Sequence, residues 1–130
     1  MSEYTVRLAA FGIPDDFIFG RHLPQGLFMN KRGEISNKRT GRTYPEHVVW
    51  LEDETAYAEG YGKAFERLFA TIRHDEAIFE YYRSASYVEL QVWLWIDDDA
   101  GVPSLHLEPS HIEFLHTLGA HVDVDIHCVA

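Results

Sequence analysis

Apolar and polar residues alternate along residues 87–96, Tyr-Val-Glu-Leu-Gln-Val-Trp-Leu-Trp-Ile, and again along residues 121–128, His-Val-Asp-Val-Asp-Ile-His-Cys. A strand turns successive side chains to opposite faces, so this pattern predicts two strands that each bury one side. In the first, Val88, Leu90, Val92, Leu94 and Ile96 form the buried side, leaving Glu89, Gln91, Trp93 and Trp95 opposite. In the second, Val122, Val124, Ile126 and Cys128 face the helices, and His121, Asp123, Asp125 and His127 share the other side.

Residues 4–11 carry β-branched and aromatic side chains and end at Gly12, which predicts a first strand; residues 47–51 predict another. Pro14, Asp15 and Asp16 open a short helix ending by Gly20. The acidic run 52–55 reads as the opening turn of a helix in which Tyr57, Tyr61, Phe65, Leu68 and Ile72 recur at spacings of three and four. A shorter helix follows over 75–82. Residues 97–101 turn the chain, and residues 104–108 return as a short partner strand. Ser110 and Glu113 stand at capping-box spacing, and Gly119 closes that helix after Leu115 and Leu118.

Residues 21–45 break this regularity. Gly, Pro, Asn, Ser and Thr dominate, no period survives, and a long loop is expected. The resulting order, β-α-β-α-β-β-α-β, predicts an α+β domain: a mostly antiparallel sheet with helices on one face, with the ferredoxin-like sandwich as the nearest named architecture. At 130 residues the chain has the size of a single domain, and 46% hydrophobic residues exclude intrinsic disorder.

Charge narrows the partners. A formal charge of −10 opposes nucleic acid and anionic membrane alike and favours a basic protein partner. The 21–45 loop is the exception: Arg21, Lys31, Arg32, Lys38, Arg39 and Arg42 against Glu34 give it +5, leaving −15 on the rest. A solvated loop offsetting an acidic body explains this better than an anion site, since no Gly-rich phosphate motif accompanies it. Protonating all eight histidines would leave a formal charge of −2, so self-association is expected to rise as pH falls through the histidine range. The lone Cys128 permits no internal disulfide, and the first residues lack the pattern of a secretion signal; the cytoplasm is the expected compartment.

Two indoles on the polar side of a strand are the most pointed chemical feature. A soluble monomer rarely leaves such a patch bare, so Glu89, Gln91, Trp93, Trp95, His121, Asp123, Asp125 and His127 together are the candidate binding face. The basic loop packing over the tryptophans is the structural alternative, because Trp is usually largely buried. A metal site is the sharper version: residues two apart on a strand lie about 6.5–7 Å from one another, close enough for His121 with Asp123, or Asp125 with His127, to share an ion. A third ligand such as Glu89 or His106 would be required, and polar alternation alone produces the same letters, so no metal or other cofactor is assigned. Asp97, Asp99 and Glu108 sit in a calcium-loop register whose fifth and sixth positions, Gly101 and Val102, do not fit it. Ser84, Ser86 and Ser104 lack a nucleophile-elbow setting, and no catalytic residue is assigned.

The chain resembles the bacterial domain-of-unknown-function 4279 family. The resemblance runs from the first strand at Val6 through Pro14-Asp15, Trp50-Leu51-Glu52, the Phe65 to Leu68 helix and the 88–94 strand to the closing Leu118-Gly119-Ala120-His121-Val122-Asp123-Val124-Asp125-Ile126. It implies a small α+β domain and brings no established catalytic residues. The expected function is therefore a non-catalytic protein-interaction or ligand-binding module, of an immunity or inhibitor type, working through its exposed sheet face. A metal-dependent or carboxylate enzyme built on the last strand and a homodimeric structural domain are the alternatives.

Overall fold

Five strands form the main sheet of the computed structural model, which describes residues 3–56, 60–97 and 105–129 and the side chains of 5–53, 60–94 and 105–127. They are β1 (Glu3–Phe11), β2 (Phe28–Asn30), β5 (Val48–Ala56), β6 (Tyr87–Asp97) and β7 (Ala120–Val129), arranged β2-β5-β1-β6-β7. Two further short strands, β3 (Ile35–Asn37) and β4 (Arg42–Thr43), pair with each other in a separate ribbon. The helices are α1 (Asp15–Ile18), α2 (Tyr61–His74), α3 (Glu76–Ser84) and α4 (Pro109–Leu118). All pairings in the main sheet are antiparallel except β6 with β7, which run parallel because α4 carries the chain back between them. The fold is an α+β layer structure with a mostly antiparallel sheet.

Register places the core. Val6, Leu8 and Ala10 of β1, Val49 and Leu51 of β5 and Val88, Leu90 and Val92 of β6 are buried against Tyr61, Phe65, Leu68, Phe69 and Ile72 of α2, Ile78 and Tyr82 of α3, and Phe114 and Leu115 of α4. The α2 residues recur at three and four, so one stripe of the helix covers the sheet. The Tyr82 hydroxyl donates to the Leu8 carbonyl, and burial pushes its phenol far above the ordinary tyrosine range. Asp75 caps α3 by accepting from the Ile78 N–H at 3.2 Å.

Several local expectations are corrected. Acidic residues 52–55 belong to β5 instead of opening a helix, and α2 begins only at Tyr61, after Gly60. The strand tolerates Glu52 and Asp53 because the pleat sends them to opposite faces and both meet an arginine: Glu52 takes Arg7 of the facing strand at 2.9 Å, and Asp53 takes Arg67 of α2 at 2.7 and 2.9 Å. Tyr57, read as the first residue of the helical stripe, lies outside the described residues. Residues 21–45 hold β2, β3 and β4 where a featureless loop was expected. No strand forms at 105–108, while Ser104 and most of the 97–101 turn lie outside the described residues. The box at the start of α4 is built by Glu108 and His111, not Ser110 and Glu113; the Glu108 N–H donates to His111 Nδ1 at 3.1 Å. That arrangement follows Pro109 at the first helical position and turns the His111 ring edge-on to Phe65 and Phe69. Gly119 closes the helix in the left-handed conformation at φ 64°, as expected.

Candidate functional site

The face of the sheet away from α2 is set by the same pleat. Thr5, Arg7, Ala9 and Phe11 of β1 lie on it, and the residues directly opposite them share it: Val48, Trp50 and Glu52 of β5, and Tyr87, Glu89, Gln91 and Trp93 of β6. Parallel pairing then aligns the last two strands rung by rung, Glu89 with His121, Gln91 with Asp123, Trp93 with Asp125 and Trp95 with His127. The eight residues singled out from the sequence thus occupy four alternate rungs of the β6–β7 ladder. The side chain of Trp95 lies outside the described set. Trp93 is half-buried and away from the helix-facing core.

A row of stacked groups crosses this face. Phe28 of β2 stacks on Trp50 with ring centres 5.6 Å apart, and the Arg7 guanidinium lies 5.2 Å from the Trp50 ring and 5.5 Å from that of Trp93. Arg7 Nε also donates to Glu52, so the cation is held by two indoles and a carboxylate. A second row runs through Phe11, Tyr87 and His121, with ring centres 5.8 and 4.5 Å apart. Both Glu89 oxygens are occupied, one by the Tyr87 hydroxyl and one by the Gln91 amide, each at 2.9 Å. Donating to that carboxylate holds the Tyr87 phenol above its usual range. Asp123 is also raised, first by partial desolvation and then by the like charges of Asp125 and Glu89.

Between the two rows the small side chain of Ala9 leaves a hollow. The cavity, about 270 Å³, is floored by Ala9, walled by Arg7, Phe11, Val48, Trp50 and Gln91, and rimmed by Asn30 and by Tyr44, Pro45 and Glu46. A roughly 150 Å³ apolar cavity takes a benzene, so this one has room for a ring and a substituent. The Trp50 indole nitrogen is buried with no hydrogen-bond acceptor among the described residues. The segment that ends the basic loop therefore lines this face without sealing it.

That rim is pinned at its base. His47 Nε2 meets Asp15 at 2.5 Å, Arg32 reaches the other Asp15 oxygen at 2.8 Å, and the Arg32 backbone N–H donates to His47 Nδ1 at 3.0 Å. With Nδ1 accepting, Nε2 carries the proton toward Asp15. Both ring nitrogens are engaged, so His47 is a structural clasp and offers no base to a substrate. The hydrogen bond from His47 and the charge of Arg32 hold the Asp15 carboxyl below its ordinary value.

Sequence reasoning found the β6 and β7 half of the face and missed the β1 and β5 half. Arg7, Ala9, Phe11 and Trp50 were legible as the odd-side partners of Val6, Leu8, Ala10 and Leu51, but nothing local said which strands adjoin. For the last strand the expected burial is also corrected: Val124 packs against the core, but Val122 and Ile126 on the same side of this edge strand are 44% and 62% exposed. Among the described residues no three His, Cys, Asp or Glu side chains gather to hold a metal ion, and no helix is long and apolar enough to cross a membrane. No family model, no curated protein and no solved structure matches the chain.

Proposed function

We propose that this protein is a non-catalytic binding module that recognises a protein partner or ligand on the open face of its sheet. The observation that carries this reading is the Ala9 cavity between two aromatic rows, with a guanidinium already held on the same surface by Trp50, Trp93 and Glu52. Aromatic walls with a few convergent polar groups are the usual makings of a recognition site. The buried Trp50 N–H, without an acceptor among the described residues, adds a donor that an entering acceptor would satisfy. The acids on this face and the overall charge of −10 favour a basic partner, as an inhibitor or immunity-type protein would have.

Capture from the native cell with purified protein tests this directly. A stoichiometric partner held by the wild type, lost in Trp93→Ala and retained in the helix-side variant Ile112→Ala, is the expected result. Equal capture by both variants would refute the open face as the binding surface.

A further inference from the structure

The outer edge of β7 carries a pattern that the open face alone does not use. β7 is the last strand in the sheet order, paired on one side only by β6, so its outward backbone donors and acceptors have no neighbouring strand among the described residues. Long exposed edges are usually blunted by lysine, proline or a bulge; residues 120–129 contain neither of those residues, and the β6 pairing runs without a register shift. On the helix side of the strand Val122 and Ile126 are exposed, and on the open side Asp123 and Asp125 are exposed and form no ion pair among the described residues. Asp123 is crowded by like charge from Asp125 and Glu89.

Resting on the binding-module reading above, we infer that β7 accepts an extended segment of a basic partner as a sixth strand, one whose residues alternate between cationic and apolar. Added strands lie about 4.8 Å from their neighbour, and their side chains alternate faces in step with it. Cationic side chains then fall beside Asp123 and Asp125 while apolar ones cover Val122, Val124 and Ile126. Main-chain hydrogen bonds supply affinity, and the two faces supply specificity. Self-pairing through the middle of the strand is disfavoured by the same letters: a two-fold antiparallel register centred on residues 123, 124 or 125 sets aspartate against aspartate.

Fluorescence anisotropy with a labelled eight-residue peptide of alternating Lys and Val is the test, read beside a block isomer of the same composition and two forms N-methylated at alternate amides. The alternating peptide is expected to bind at least tenfold more tightly than the block isomer and to slow amide exchange along β7. One N-methylated form should bind and the other should not, since only one set of amides faces the edge. The Asp123→Lys/Asp125→Lys variant should lose at least tenfold, and Ile126→Lys guards against a folding artefact by weakening binding from the opposite face. Equal binding of the block isomer, or of both N-methylated forms, overturns the inference, as does no binding at all. Ile112→Ala, exposed on α4, is expected to keep the peptide, and an edge that fails while partner capture still depends on Trp93 refutes this inference and leaves the open-face reading standing. Peptide binding with Trp93-independent capture does the reverse.

Discussion

The Arg7 guanidinium carbon lies 5.2 Å from the centre of the Trp50 ring, on the strand directly beside it. Trp93 approaches from the other neighbouring strand at 5.5 Å, and Glu52 fixes the guanidinium through Nε. Three strands are thereby tied together on the open face by one cation. Arg7→Met keeps the stem and removes the charge; a loss of about 0.5–1 kcal/mol in urea unfolding is expected, as for an exposed cation on an aromatic face, together with a shift in tryptophan emission.

Ala9 sets the size of the cavity. Ala9→Val adds two methyl groups toward the hollow from a residue well suited to a strand, so stability should change by less than about 1 kcal/mol. Partner capture should fall sharply. Unchanged capture in a folded Ala9→Val protein would show that the cavity takes no part in recognition.

Gly12 ends β1 where the chain must pass close to Ser86. Its φ is +71°, and a Cβ there would stand 2.0 Å from Ser86 Oγ. Gly12→Ala is expected to cost more than about 2 kcal/mol, the left-handed backbone alone accounting for about 1–2 kcal/mol. Adding Ser86→Gly should relieve the clash with Ser86 and leave the backbone cost, as measured by chemical denaturation.

Acid should act on two carboxylates in opposite senses. Asp15 is lowered from 3.8 by His47 and then Arg32, so its stabilisation is complete above the unfolded value and disappears as pH falls through the folded one. Asp15→Asn should therefore lower Tm at neutral pH and flatten the acid limb below 3.8. Asp123 is raised by desolvation, Asp125 and Glu89, so it opposes folding in full above its folded value, less as pH falls below that, and not at all below its unfolded value. Asp123→Asn should raise Tm at neutral pH and leave it unchanged in acid, a comparison that a Tm series across pH provides.

Much of the fold was legible because period two and the helical spacing of Phe65, Leu68 and Ile72 are local signals. Those signals also put Trp93, Asp123 and Asp125 on one side of their strands. What failed was non-local. The acids at 52 and 53 look like a helix opening until Arg7 and Arg67, distant in sequence, are seen to take them. Val122 and Ile126 look like core until β7 is known to be the edge strand, where both are exposed. The cavity escaped notice for the same reason: Ala9 and Trp50 become neighbours only through the β1–β5 register.

Photo-crosslinking in the native cell from Gln91, beside the cavity on the open face, compared with Thr117 on the exposed side of α4, is the most direct measurement of where this protein binds. A defined adduct from position 91 and none from 117 is the predicted result. Adducts of equal yield from both positions, or none from 91 alongside one from 117, would contradict recognition through the open sheet face.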